Sequence, residues 1–317
     1  MAILATNYTF PGQTDVYRGE TRDVYSLDTK MISVATDRLT IFGHLFSEPI
    51  PCKGQVINQL TQYFAEAAKD IVPSWIEYVP DSNVSIGKKC QPFKVNMVIR
   101  GALIGHAWRV YQAGARTISG IHLPDNMQEY DLFDEPIITP STKAQSGYEE
   151  DISAQDIIEE GLMSEAEFER LSIVSRQLFI RGKQLVRKKG LILADTRYEF
   201  GTHDDQICII DEIHTPDSSR YFKADSYEQY LRQRSTQPPE HLSTEYIRQW
   251  LLEQGYSGLE GQAAPALTKE FIDQLSGRYI SLYQQITGDQ FAYPDPDEDQ
   301  LARIKHNIQL YFVDLAI

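Results

Sequence analysis

Residues 195–201 read Asp-Thr-Arg-Tyr-Glu-Phe-Gly, and residues 211–220 read Asp-Glu-Ile-His-Thr-Pro-Asp-Ser-Ser-Arg. Each acidic cluster comes straight after an apolar run, residues 190–194 and 207–210. Two short strands that each end in carboxylates predict a hairpin presenting Glu199 and Asp211 side by side. Paired carboxylates are hard oxygen ligands and suit Mg²⁺ held together with phosphate. The chemistry implied is nucleotide-dependent.

Other polar residues fit a phosphate-handling site. Arg100 and Arg109 flank a glycine-interrupted stretch that also carries His106. Arginine grips phosphate or carboxylate with two parallel hydrogen bonds. Ser218, Ser219 and Arg220 put hydroxyls and a guanidinium on one loop. Ser141, Thr142 and Lys143 do the same with an ammonium, and Asp37, Arg38 and Thr40 follow the strand-like run 32–35. Arg22, on a first hairpin, could reach a nucleotide phosphate. Each group taken singly also reads as a surface ion pair or a helix cap. The glycine-rich phosphate loop of Walker or Rossmann type is absent, so a nucleotide site here uses side chains and strand edges. His44, His106, His122, His203, His214 and His241 form no triad with a serine or cysteine. His214 reads as structural, and a covalent nucleophile mechanism has little support.

These residues need a scaffold, and 317 residues suffice for one large or two modest domains. A formal net charge of −15 and a pI near 4.9 argue against nucleic-acid and anionic-membrane partners. With 42% hydrophobic and 11% aromatic residues the chain reads as globular. Cys52, Cys90 and Cys208 lack the spacing of a zinc site or a disulfide scaffold. No apolar run approaches about 18 residues and no signal-like N-terminus is seen, so a cytoplasmic address follows by default.

Residues 23–27 and 31–35 predict a hairpin, and 56–71 a helix ending before Pro73. Residues 90–103 predict a strand pair around Pro92. Ser153 and Ser164 each open a helix, the second with Glu167 as a capping box, and Gly190 stops it. Further helices are expected from Ser243, over 268–286 and over 297–316. The organisation expected is α+β. A sheet-rich lobe covers 1–92, a larger α/β lobe 93–235, and a helical segment 236–317 packs on the central lobe.

Read in order, the segments 17–25, 35–40, 50–58, 98–101, 138–144, 190–201 and 211–221 resemble SAICAR synthetase, with 247–251 and 286–288 similar to its longer bacterial form. The resemblance covers nearly the whole chain. It implies a small N-terminal antiparallel β lobe, a larger α/β lobe with C-terminal helices, and ATP in a cleft between them. It implies phosphorylation of the carboxylate of an aminoimidazole ribonucleotide (CAIR) by ATP, then amide formation with the amine of L-aspartate. Carried over by position, Glu199 and Asp211 hold Mg²⁺. Glu20, Arg22 and the segment with Lys89, Gln91 and Val95 face ATP. Arg100, Arg220 and Ser218 or Ser219 bind the ribonucleotide, with Asp37, Arg38, Thr40, His106, Ser141 and Thr142 nearby. Lys143, Asp195 and Arg197 line the reaction centre. The partners implied are a ribonucleotide-like carboxylic acid and an amino acid, and relatives often form homodimers.

Several positions depart from the family pattern. Glu20 stands where a lysine meets ATP phosphate, Arg197 where a lysine is usual, and Asn96 where a glutamate is. Gly43 replaces an aspartate, Thr40 a serine, Ala102 a tyrosine, and Tyr148 and Glu149 a His-Asp pair. The expectation is an altered site with an enlarged, less acidic small-molecule pocket. The alternatives are the same ligase chemistry on another heterocyclic acid or amine, or a catalytically silent ligand-binding homologue.

Overall fold

A computed structural model describes residues 2–143, 150–234 and 237–315. Tyr148 and Glu149 lie outside them. The chain divides into two compact units, one of residues 1–66, 74–90 and 247–317 and one of residues 67–73 and 91–246.

The first unit is built on a five-stranded antiparallel sheet. The expected hairpin is present as Arg22–Ser26 against Lys30–Ala35, and its first strand alternates half-buried and buried residues, the period of a strand with one face on a core. The expected helix runs Lys53–Ala67 and buries Val56, Leu60 and Phe64. Tyr8, Phe10, Tyr25, Ile32, Val34 and Ile86 form a core closed by Ile304 and Ile308 of the Gln300–Leu315 helix. Arg303 of that helix grips Asp81 bidentately, at 2.9 and 3.2 Å, and Asn307 donates to the same carboxylate. The helices after residue 247 therefore belong with the N-terminal strands. The expectation placed 236–317 on the central lobe, and residues 247–317 group instead with the first unit: the apolar face of the last helix carries no local sign of which sheet it covers.

The second unit centres on the strand Leu191–His203, 13 residues long. Its first half lies between Val95–Ala102 and Ser219–Lys223, and its second half pairs with Gln206–Ile210 and Gln91–Pro92. Gln91–Pro92 and Val95–Ala102 thus pair with this strand, where a mutual pair around Pro92 was expected. The helix Glu165–Arg187 lays Leu171, Val174, Leu178 and Phe179 into the core. The Ser164 hydroxyl accepts from the Glu167 N–H, and the Glu167 carboxylate accepts from the Ser164 N–H, which completes the expected capping box. Among the described residues no helix is long and apolar enough to cross a membrane.

Candidate active site

The acidic and basic residues singled out from the second unit converge through strand register. Asp195 lies opposite Arg100 on one neighbouring strand and Arg220 on the other. Cross-strand partners on one face sit close enough for their side chains to meet. Arg220 Nη1 donates to Asp195 Oδ2 at 2.6 Å, and Arg100 Nη1 lies 3.6 Å from the same oxygen. Arg220 Nε donates to Glu245 Oε2 at 3.0 Å, and Arg100 Nε to Thr139 Oγ1 at 2.8 Å. Arg100, Asp195, Thr139 and Glu245 are all buried. Burial pulls the Arg100 guanidinium below its ordinary pKa. Burial works against Arg220 as well, but Asp195 and Glu245 outweigh it and hold its charge above the ordinary value. Nη2 of each arginine has no hydrogen-bond partner among the described residues. The pair is rigidly aimed and still has donors to offer an anion.

Gly105 makes room for this cluster. A Cβ built there would lie 2.6 Å from Arg220 Cζ, and the residue sits at φ +55°, so a side chain is excluded on both counts. His106 follows it and pairs with Asp151 at 2.6 Å.

Glu199 is two residues beyond Arg197 on the same strand, paired across the ladder with Ile210. It therefore sits mid-strand, where a strand end was expected, because the apolar run 190–194 is only the start of a longer element. Asp211 follows Ile210 directly and turns the chain away at φ +58°. Lys143 Nζ lies 2.6 Å from Glu199 Oε2, and Arg197 Nη2 lies 3.5 Å from Oε1. A carboxylate that already collects two cations, with a second one residue past its strand partner, is a donor set that suits a hard divalent cation.

The other expected binding residues are largely engaged in structure. The Ser218 hydroxyl closes the loop onto Thr215, accepting from its N–H at 3.2 Å, while the buried Ser219 hydroxyl lies 2.7 Å from Thr196 Oγ1. Ser141 is buried opposite Asn96, and Thr142 Oγ1 accepts from the Glu150 N–H. Gln91 is exposed and Val95 buried, on adjoining strands of the same sheet.

In the first unit Arg38 is an internal clamp. It donates to Asp23 Oδ1 at 2.9 Å and to the carbonyls of Leu4, Gly19 and Glu20. The buried Asp37 carboxylate accepts from the N–H groups of Ile3 and Gly54, and burial raises its pKa. Thr40 donates to the Glu20 carbonyl at 3.4 Å. Arg38 and Thr40 hold the turn that carries Glu20, which is exposed, and Arg22, which is half-buried. Lys89 is exposed.

Ala102 and Gly43 have packing and backbone roles. Ala102 is fully buried among Ile104, Tyr130, Ala194, Phe222 and Tyr227, so it fills a core and opens no ligand pocket. Gly43 follows Phe42 in a two-residue hairpin turn, with φ of +55° and +72°, the backbone that favours glycine there.

His214 lies buried with its ring bonded to the Tyr198 hydroxyl. Burial pushes its pKa down to about 3, and that of His241 to about 4. A histidine depressed in the fold is neutral there, so its protonation in the unfolded chain opposes folding at low pH. Stability is expected to fall as pH drops below about 6.5 and to stop falling on this account near 3, His214 contributing at most about 4–5 kcal/mol. Urea unfolding of wild type and His214→Gln between pH 7 and 4 checks this: the wild-type curve should fall more steeply.

Glu245, Thr139 and Asp151 were not anticipated. Glu245 lies 25 residues from Arg220 and reads in sequence as the first turn of a helix, which in fact begins there. Only the tertiary fold reveals its role.

A family model described as SAICAR synthetase matches residues 15–263. The phosphoribosylaminoimidazole-succinocarboxamide synthase of Cytophaga hutchinsonii is 48% identical over 97% of this chain and 98% of its own length. That of Bacteroides thetaiotaomicron is 44% identical over 97% and 98%. Among solved structures, SAICAR synthase from Saccharomyces cerevisiae complexed with SAICAR is 26% identical, with a TM-score of 0.76 over 90% of this chain and 99% of that one. The fold is that of the SAICAR synthases. The chain belongs to the SAICAR synthetase family.

Proposed function

We propose that this protein is an ATP-dependent carbon–nitrogen ligase that joins CAIR to L-aspartate, giving SAICAR, ADP and phosphate in purine biosynthesis. The observation that carries the reading is the Arg100–Asp195–Arg220 cluster, whose Asp195 shares the long strand with Glu199, in a chain 48% identical to a synthase of that name.

A carboxylate is a poor electrophile. One of its oxygens attacks the terminal phosphorus of ATP and ADP departs, leaving an acyl phosphate. The aspartate amine then attacks the acyl carbon, loses a proton, and expels phosphate. Mg²⁺ would be held by Glu199 and Asp211, where it supplies charge neutralisation for the transferring phosphoryl group. Arg100 and Arg220 would bind the ribonucleotide phosphate through their remaining donors, with Asp195 and Glu245 holding them in place. Lys143 and Arg197 would place positive charge beside the reacting oxygens. The test is ADP release that requires both CAIR and aspartate. ADP release without either, or none at all, contradicts the reading.

The departures from the family motifs are compatible with turnover. Arg197 keeps its positive charge near Glu199. Glu20 is exposed, where water and salt weaken its field. If residue 20 faces the ATP phosphates, Glu20→Lys should tighten Mg-ATP binding by roughly three- to tenfold at low salt. Calorimetric titration checks it, and an unchanged affinity places residue 20 away from the nucleotide. We also place the enzyme in the cytoplasm. We further propose a homodimer, for which light scattering should show twice the monomer mass.

A further inference from the structure

Asp211 and His214 both adopt positive φ, +58° and +53°, within four residues of a loop whose residues 212–216 are all buried. Two non-glycine residues in that conformation persist only where their surroundings fix them, and such backbone gathers at functional sites. What fixes this loop is visible. The His214 ring bonds the Tyr198 hydroxyl. Its carbonyl accepts from the Tyr221 hydroxyl at 2.5 Å. The ring occupies the space left by Gly182, where a Cβ would come within 2.1 Å of Cε1. Tyr198 adjoins Glu199 on the long strand, and Tyr221 adjoins Arg220 on the next one.

We propose that His214 is a positioning residue that locks the loop bearing Asp211 against the strand bearing Glu199, and so fixes the two carboxylates as one divalent-cation site. The inference rests on the reading of Glu199 and Asp211 as metal ligands. His214 touches neither substrate nor metal. It acts through the backbone of residues 211–214 and through Tyr198. Its ring needs a narrow slot, which explains a glycine inside the helix Glu165–Arg187, where glycine is otherwise costly.

The test is Mn²⁺ affinity of the full chain with a non-hydrolysable ATP analogue, read by electron paramagnetic resonance, with CAIR affinity measured in parallel. His214→Ala should weaken Mn²⁺ binding by about tenfold or more. His214→Gln, which can still bond the Tyr198 hydroxyl, should stay within about threefold of wild type, and CAIR affinity should change by less than about threefold in both. Tyr198→Phe removes only the hydroxyl and should weaken Mn²⁺ in the same direction, which keeps the test open if His214→Ala fails to fold. Wild-type Mn²⁺ affinity in a folded His214→Ala or Tyr198→Phe protein overturns the proposal. So does an equal loss of Mn²⁺ and CAIR affinity without rescue by glutamine, which marks a merely structural role. A wild-type protein that binds Mn²⁺ with nucleotide but makes no product defeats the reaction assignment alone, and the variants are then compared on Mn²⁺ affinity unchanged.

Discussion

Asp195→Ala is expected to cost about 3–5 kcal/mol of folding stability, because it removes the shared anion between two arginines that the sheet holds in place. Asp195 and Arg100 have side chains only 3% and 6% exposed, and Arg220 only 20%, so water cannot replace the lost partner at little cost. Glu245 would still neutralise Arg220, but among the described residues Arg100 would keep only the neutral Thr139 hydroxyl. The burial that already lowers the Arg100 pKa would then act with no carboxylate bonded to oppose it. Asp195→Asn preserves shape and one acceptor and should cost less. Urea unfolding measures both, and a loss under about 1 kcal/mol for the alanine variant would show that the cluster is not mutually dependent.

Glu199→Ala is expected to lower turnover by on the order of 10³-fold, roughly 4 kcal/mol of transition-state stabilisation, while leaving the fold intact. The residue is half-buried, at 20% exposure of its side chain, and its ion-pair partners are Lys143 and Arg197, both able to reach water. Its loss should therefore cost little stability and much activity, the reverse of Asp195→Ala. CAIR affinity should hold, since Arg100 and Arg220 lie on other contacts of the sheet. Steady-state kinetics across a Mg²⁺ series separates the effects: a variant that keeps wild-type turnover removes Glu199 from the metal site.

Local signals in the sequence were strong where the physics is local. The Ser164–Glu167 capping box, the hairpin of 23–27 with 31–35 and the helix over 56–71 follow from spacing alone, and the structure has each of them, the strands shifted by about one residue and the helix running Lys53–Ala67. The polar residues of the second unit were also legible as a set, through motif order. Their partners were not. The Arg220–Glu245 pair joins a strand to a helix start 25 residues later, and Arg303–Asp81 spans 222 residues. Such contacts depend on which surfaces meet, which periodicity does not encode. The same limit placed residues 247–317 with the wrong strands and turned the core residue Ala102 into an expected pocket wall. Arg38 looked like a ligand-binding residue because an arginine after a strand suits anions, yet its donors go to carbonyls of the preceding turn and to Asp23.

The passage of a phosphoryl group through the ring acid is tested most directly by oxygen transfer. CAIR labelled with ¹⁸O in its carboxylate is incubated with the protein, Mg-ATP and L-aspartate, and the inorganic phosphate and organic product are weighed by mass spectrometry. One ¹⁸O atom per phosphate, formed together with the succinocarboxamide product, is the predicted result. Unlabelled phosphate, or phosphate released with no amide formed, would contradict the account.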